Sequence, residues 1–141
     1  MKLKTGSELY LIGCSLEGAQ SQSALVNSGK LLLRSCVVQY NERGAILNKS
    51  SLEVESCLFY KNHSPLGGAA IRLPYADTSA IVKNSSFSRN KSRDVAGAIY
   101  SKGDLLIEGS AFSDNTASPK APHHQHLYYD SSRTQIVKSH I

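Results

Sequence analysis

Four segments of the chain align without a gap on a shared terminal asparagine: LLLRSCVVQYN (31–41), LEVESCLFYKN (52–62), AIVKNSSFSRN (80–90) and LLIEGSAFSDN (105–115). Such a recurrence constrains a fold more than local propensity does, because each copy must pack beside the next in the same way. Matching places hold Leu31, Leu52, Ala80 and Leu105, then Leu33, Val54, Val82 and Ile107, then Cys36, Cys57, Ser85 and Ser110. The next column is Val38, Phe59, Phe87 and Phe112, and the last is Asn41, Asn62, Asn90 and Asn115. Fainter copies flank these: Leu9, Leu11, Cys14 and Leu16 upstream, and Thr134, Ile136, Ser139 and Ile141 downstream.

A second block follows the asparagines, as Gly44-Ala45-Ile46, Ala69-Ala70-Ile71 and Gly97-Ala98-Ile99, with Ala24-Leu25 as a weaker version. After Asn115 the spacing lengthens, and His126 and Leu127 fill the places of Ala98 and Ile99. The cysteine column falls at 14, 36, 57, 85, 110 and 139, a period of 21 to 29 residues. That is too short for a paired-helix repeat and suits one coil of a β-solenoid. Apolar alternation at Leu31 and Leu33, and again at Cys36 and Val38, is the two-residue period of strands with one face inward. The phase breaks between Leu33 and Cys36, so a corner lies there. Each coil is therefore expected to hold a strand (L-x-V), a bend, a second strand (C-x-F), a turn at Asn with unusual backbone angles, and a third strand carrying a small residue and Ile.

Stacked at the strand spacing of about 4.8 Å, the columns become ladders. Inward Leu, Val, Phe and Ile fill a narrow core, and buried Asn side chains bond to the next coil. The reading is all-β: residues 1–141 form a single parallel β-helix domain of five to six coils. The repeats are best defined over 29–117, a long loop insertion spans 118–133, and 134–141 make a last partial coil. The absence of Trp and the abundance of Ser, Asn and Gly agree with short strands and many turns.

The F-x-x-N tetrapeptides Phe59–Asn62, Phe87–Asn90 and Phe112–Asn115, with the small-residue runs Gly67-Gly68-Ala69-Ala70 and Ala96-Gly97-Ala98-Ile99, carry a resemblance. Together they resemble the repeats of chlamydial polymorphic outer-membrane proteins and, more broadly, of pectate-lyase-like proteins. The resemblance implies a right-handed coil and a secreted or cell-surface location, although no signal peptide is visible. Lys2, Lys4 and Leu11-Ile12-Gly13-Cys14 faintly resemble a lipoprotein processing site, but Glu8 interrupts a very short apolar run.

Several residues combine candidate binding chemistry with a plainer structural role. Lys61, Arg89, Lys91 and Arg93 recur beside one turn, where they suit acidic or sulfated glycans, and Tyr40, Tyr60, Tyr75, Tyr100, Tyr128 and Tyr129 offer faces for sugar rings. His123, His124 and His126 cluster on what reads as a solvated loop, with no Cys or carboxylate pattern to complete a metal site. Cys14, Cys36 and Cys57 read as packed thiols in a column that Ser85 and Ser110 continue. Asp77, Asp94, Asp104 and Asp114 stand at different offsets from the asparagines, so no acid pair converges.

The net charge of +5 is spread along the chain, and no run reaches the roughly 20 apolar residues of a membrane span. No cofactor, metal, nucleic acid or membrane insertion is expected. The expected function is a non-catalytic binding or adhesion module presenting loops to a glycan or a surface protein, alone or as a segment of a longer protein. The alternatives are a polysaccharide lyase or hydrolase, and a structural spacer that self-associates through its uncovered strand edges.

Overall fold

The structure, a computed structural model, describes residues 1–120 and 125–141. It is a parallel β-solenoid of about five turns. The first sheet stacks Lys2–Leu3, Leu25–Asn27, Ile46–Asn48, Ile71–Leu73, Ile99–Ser101 and Leu127–Tyr129. The second stacks Glu8–Ile12, Lys30–Arg34, Ser51–Glu55, Ser79–Lys83, Asp104–Glu108 and Thr134–Val137. The third stacks Ser15–Glu17, Val37–Gln39, Leu58–Tyr60, Ser86–Ser88 and Ala111–Ser113. A short ladder of His63–Ser64 on Lys91–Ser92 follows the third sheet.

The apolar strand columns are realised in the pairing from Leu9 to Ile136. Leu9, Leu31, Leu52, Ala80, Leu105 and Thr134 are successive partners, as are Leu11, Leu33, Val54, Val82, Ile107 and Ile136. Phe59, Phe87 and Phe112 stack with ring centroids 4.8 and 4.7 Å apart and planes within 4° of parallel. Strand spacing sets that distance, so the rings fill the core as a continuous pile. Leu127 pairs with Ile99, and the Ala98 N–H donates to the His126 carbonyl, as the extended spacing after Asn115 predicts. The expected loop over 118–133 therefore contains the last strand of the first sheet, followed by a 3₁₀ turn at Ser131–Arg133. Small residues are required where coils crowd: a Cβ on Gly97 would lie 2.5 Å from the Thr116 nitrogen.

One ladder runs through the buried asparagines. Asn41 Nδ2 donates to Asn62 Oδ1 (2.9 Å), Asn62 Nδ2 to Asn90 Oδ1 (3.0 Å) and Asn90 Nδ2 to Asn115 Oδ1 (2.9 Å). The second Nδ2 proton turns back to the previous coil, bonding the carbonyls of Leu16, Val38, Phe59 and Phe87 in order. The expectation that these asparagines take unusual backbone angles is corrected. The left-handed residue is the one before each: Tyr40, Lys61, Arg89 and Asp114, at φ of 49° to 56°. The amide must point inward to find its partners, so the preceding residue makes the bend.

The other corner repeats this device with different chemistry. Gly13, Ser35, Ser56, Asn84, Gly109 and Lys138 are left-handed, and each precedes a Cys or Ser. The side chain of that Cys or Ser accepts a backbone N–H from the previous coil: Cys57 Sγ from Cys36, Ser85 Oγ from Cys57, and Ser110 Oγ from Ser85. Each also donates to the carbonyl two residues back.

Candidate functional site

The left-handed residue ahead of each ladder asparagine cannot point inward as well, so its side chain projects to solvent. Tyr40, Lys61, Arg89 and Asp114 thus form an exposed outer row over four successive coils. Beside it runs the outward column Gln39, Tyr60, Ser88 and Ser113 of the third sheet. The two columns meet in a compact group. Tyr40 and Tyr60 contact edge to face at 5.9 Å, and the Lys61 ammonium lies 5.2 Å from the Tyr60 ring centre and 5.9 Å from that of Tyr40. Arg89 Nη1 reaches the Tyr60 hydroxyl at 3.5 Å.

The electrostatics follow from this packing. The Lys61 ammonium holds the Tyr60 phenol below its ordinary value; burial opposes it, and the Arg89 guanidinium adds a lesser lowering. A more acidic phenol is a better hydrogen-bond donor. Cation and ring contacts of this exposed kind contribute roughly 0.5–1 kcal/mol each. They hold Lys61 against the rings, with Arg89 on the Tyr60 hydroxyl, without neutralising either cation. The arrangement can receive an anionic group on Lys61 and Arg89 while an apolar face rests on Tyr40, which is 47% exposed.

The structure brings together some of the predicted binding residues and separates others. Lys61 and Arg89 share the corner. Lys91 lies beyond the inward turn at Asn90, on the short ladder beside His63 and Thr116. Arg93 lies further on, in a shallow hollow of about 370 Å³ with Gln20, Glu42, Arg43 and His63, where His63 Nδ1 sits 3.4 Å from Glu42. Tyr75 stands on the excursion after the first sheet, away from the corner. His123 and His124 fall outside the described residues.

His126 is not on a solvated loop: it is half-buried, and its Nδ1 lies 3.2 Å from Asn115 Nδ2. An amide N–H at the end of a ladder needs an acceptor, and an unprotonated imidazole nitrogen supplies it. Burial lowers the His126 pKa, and the nearby Asp114 carboxylate works in the opposite direction.

The three cysteines are free thiols, Cys36 and Cys57 buried and Cys14 half-buried. Burial pushes the Cys57 thiol up to about 11. Among the described residues, no three His, Cys, Asp or Glu side chains converge as a metal site would require.

Two arrangements escaped the sequence reading. Asn27 and Asn48 make a second amide step, with Asn27 Nδ2 donating to Asn48 Oδ1 at 2.8 Å. Both asparagines fall two places after the Leu25 and Ile46 column, so a signal existed, but the column changes to Leu73 and Ser101 and breaks the pattern. Arg72, Tyr100 and Tyr128 stack outside the first sheet, Arg72 4.5 Å over Tyr100 and Tyr100 5.0 Å from Tyr128. Each follows the Ile71, Ile99 and Leu127 column by one place, so their register could be read from the sequence, whereas their stacking on one another could not.

Comparison with family models, with curated proteins and with solved structures finds no match for this chain.

Proposed function

We propose that the chain is a non-catalytic binding module whose ligand-facing surface is the corner of Tyr40, Tyr60, Lys61 and Arg89, and whose ligand is a glycan carrying carboxylate or sulfate. The observation that carries this reading is the packing of Lys61 against two tyrosine rings, with Arg89 against the Tyr60 hydroxyl. Cations held beside exposed rings match a ring-shaped ligand with a negative substituent. A rigid solenoid spaces these groups by the coil repeat, which suits a polymer with a repeating unit better than a compact ligand. The F-x-x-N resemblance supports a place on a cell surface or in a secreted protein, where such ligands occur.

The test is binding to an array of acidic and neutral glycans at low and at physiological salt. Acidic glycans bind, neutral ones do not, and salt weakens the interaction. Replacing both Lys61 and Arg89 by Ala lowers affinity at least about tenfold, as the loss of two charge-assisted contacts requires. Absence of binding above background, or binding indifferent to the double substitution, overturns the proposal.

A further inference from the structure

A second hollow, of about 230 Å³, is lined by residues of the first sheet and shares Arg43 with the hollow around Arg93. Its floor includes Leu47 and Arg72, which are register partners on adjacent strands. Its rim carries Leu66, Pro74 and Tyr75, together with Arg43 and Lys49. None of the twelve lining residues is acidic, and three are cations. Among the described residues the ion pairs are Arg34 with Glu55, His63 with Glu42, and Arg133 with Asp104. Arg43, Lys49 and Arg72 therefore surround one cavity with no carboxylate partner.

Arg72 is prepared for a ligand. Its guanidinium lies on Tyr100, which is backed by Tyr128, and Nη1 donates to the Gly67 carbonyl at 3.0 Å. These contacts fix the plane of the fork and leave other N–H donors for an oxyanion, so little side-chain entropy is lost on binding. The wall beside it depends on Gly68, which has φ of +76° and lies so close to the Ile71 carbonyl and Tyr100 that no Cβ fits. The same lining carries exposed apolar side chains: Leu66 is 53% and Tyr75 51% exposed. Cations and exposed apolar side chains in one lining describe an amphipathic ligand. The volume is below the ~300–1,000 Å³ of pockets that take drug-sized ligands, so the occupant is small.

We propose that this hollow binds a small carboxylate with an apolar body, the carboxylate on Arg72 and Lys49 and the body against Leu66 and Tyr75. A free aromatic acid and the C-terminal residue of a peptide ending in an apolar side chain share that chemistry. The proposal is independent of the glycan corner.

Calorimetric titration of the whole chain with benzoate, N-acetyl-leucine, benzyl alcohol and inorganic phosphate tests it. The expected result is saturable one-to-one binding of at least one carboxylate, with benzyl alcohol and phosphate at least tenfold weaker. Preference for benzoate assigns a free acid, and preference for N-acetyl-leucine assigns a peptide end. Arg72→Gln weakens binding at least tenfold. Because Arg72 also packs on Tyr100, Lys49→Ala, at an exposed position, is the second variant and weakens binding several-fold with the unfolding midpoint unchanged. Lys83→Ala, an exposed charge on the second sheet, leaves binding unaltered. Failure of both carboxylates to saturate, equal binding of benzyl alcohol or phosphate, or indifference to both Arg72→Gln and Lys49→Ala overturns the proposal.

Discussion

The two corners of each coil solve the same problem by different means. Both turn the chain with a left-handed residue and both follow it with a buried polar side chain. At one corner the amides bond to each other, so every asparagine depends on the asparagine in the next coil. At the other, Cys or Ser bonds only to backbone, accepting from the coil before and donating two residues back. Backbone partners do not change with sequence. The thiol column can therefore pass into serine at position 85, whereas the amide column stays Asn from 41 to 115.

That contrast can be broken most severely at Asn62. Asn62→Ala deletes two donated and two accepted bonds and leaves the Asn41 backbone N–H and one of its two Nδ2 protons without their acceptor. A loss of about 4 kcal/mol is expected from the missing bonds and the orphaned groups, measured by denaturant unfolding. A loss below about 1 kcal/mol would show that the ladder contributes little.

A smaller effect is expected at the end of the amide row, and it depends on pH. The folded pKa of His126 is lowered from the ordinary 6.5. Its contribution is fully present above that value and is lost as pH falls through the folded-state value, because the unfolded chain takes up the proton first. Asp114 is the charged group that opposes this loss. His126→Gln keeps an acceptor that does not titrate, so the difference in stability between wild type and variant should grow from pH 7.5 to pH 5.5, in the variant's favour. A constant difference would remove the imidazole from the ladder.

The smallest effect is expected at Cys57→Ser. Serine already serves the column at position 85, and the partners are backbone groups, so a change of less than about 1 kcal/mol should be measured. A loss comparable to that of Asn62→Ala would erase the distinction between the corners.

The core was legible because solenoid geometry puts equivalent positions in contact, so an aligned column is already a contact map. Leu31, Leu52, Ala80 and Leu105 needed only a gapless alignment to be placed. The backbone of the corners was less legible. The left-handed position holds Tyr, Lys, Arg and Asp in turn, and side chains that all face water need share no chemistry. The proposed corner was partly legible. Lys61 and Arg89 occupy one column, while Lys91 and Arg93 are near them in sequence but follow the inward turn at Asn90. The hollow around Arg72 draws on three coils and an excursion of irregular length, and no periodic signal spans such a set.

The amide row also has a direction, since each Nδ2 reaches forward to a residue made later in the chain. A polypeptide emerging amino end first lays down every such proton before its recipient exists. Each new coil satisfies its predecessor and creates the next demand, until the segment bearing His126 arrives and closes the series. Winding thus proceeds under a standing chemical invitation to add one more coil.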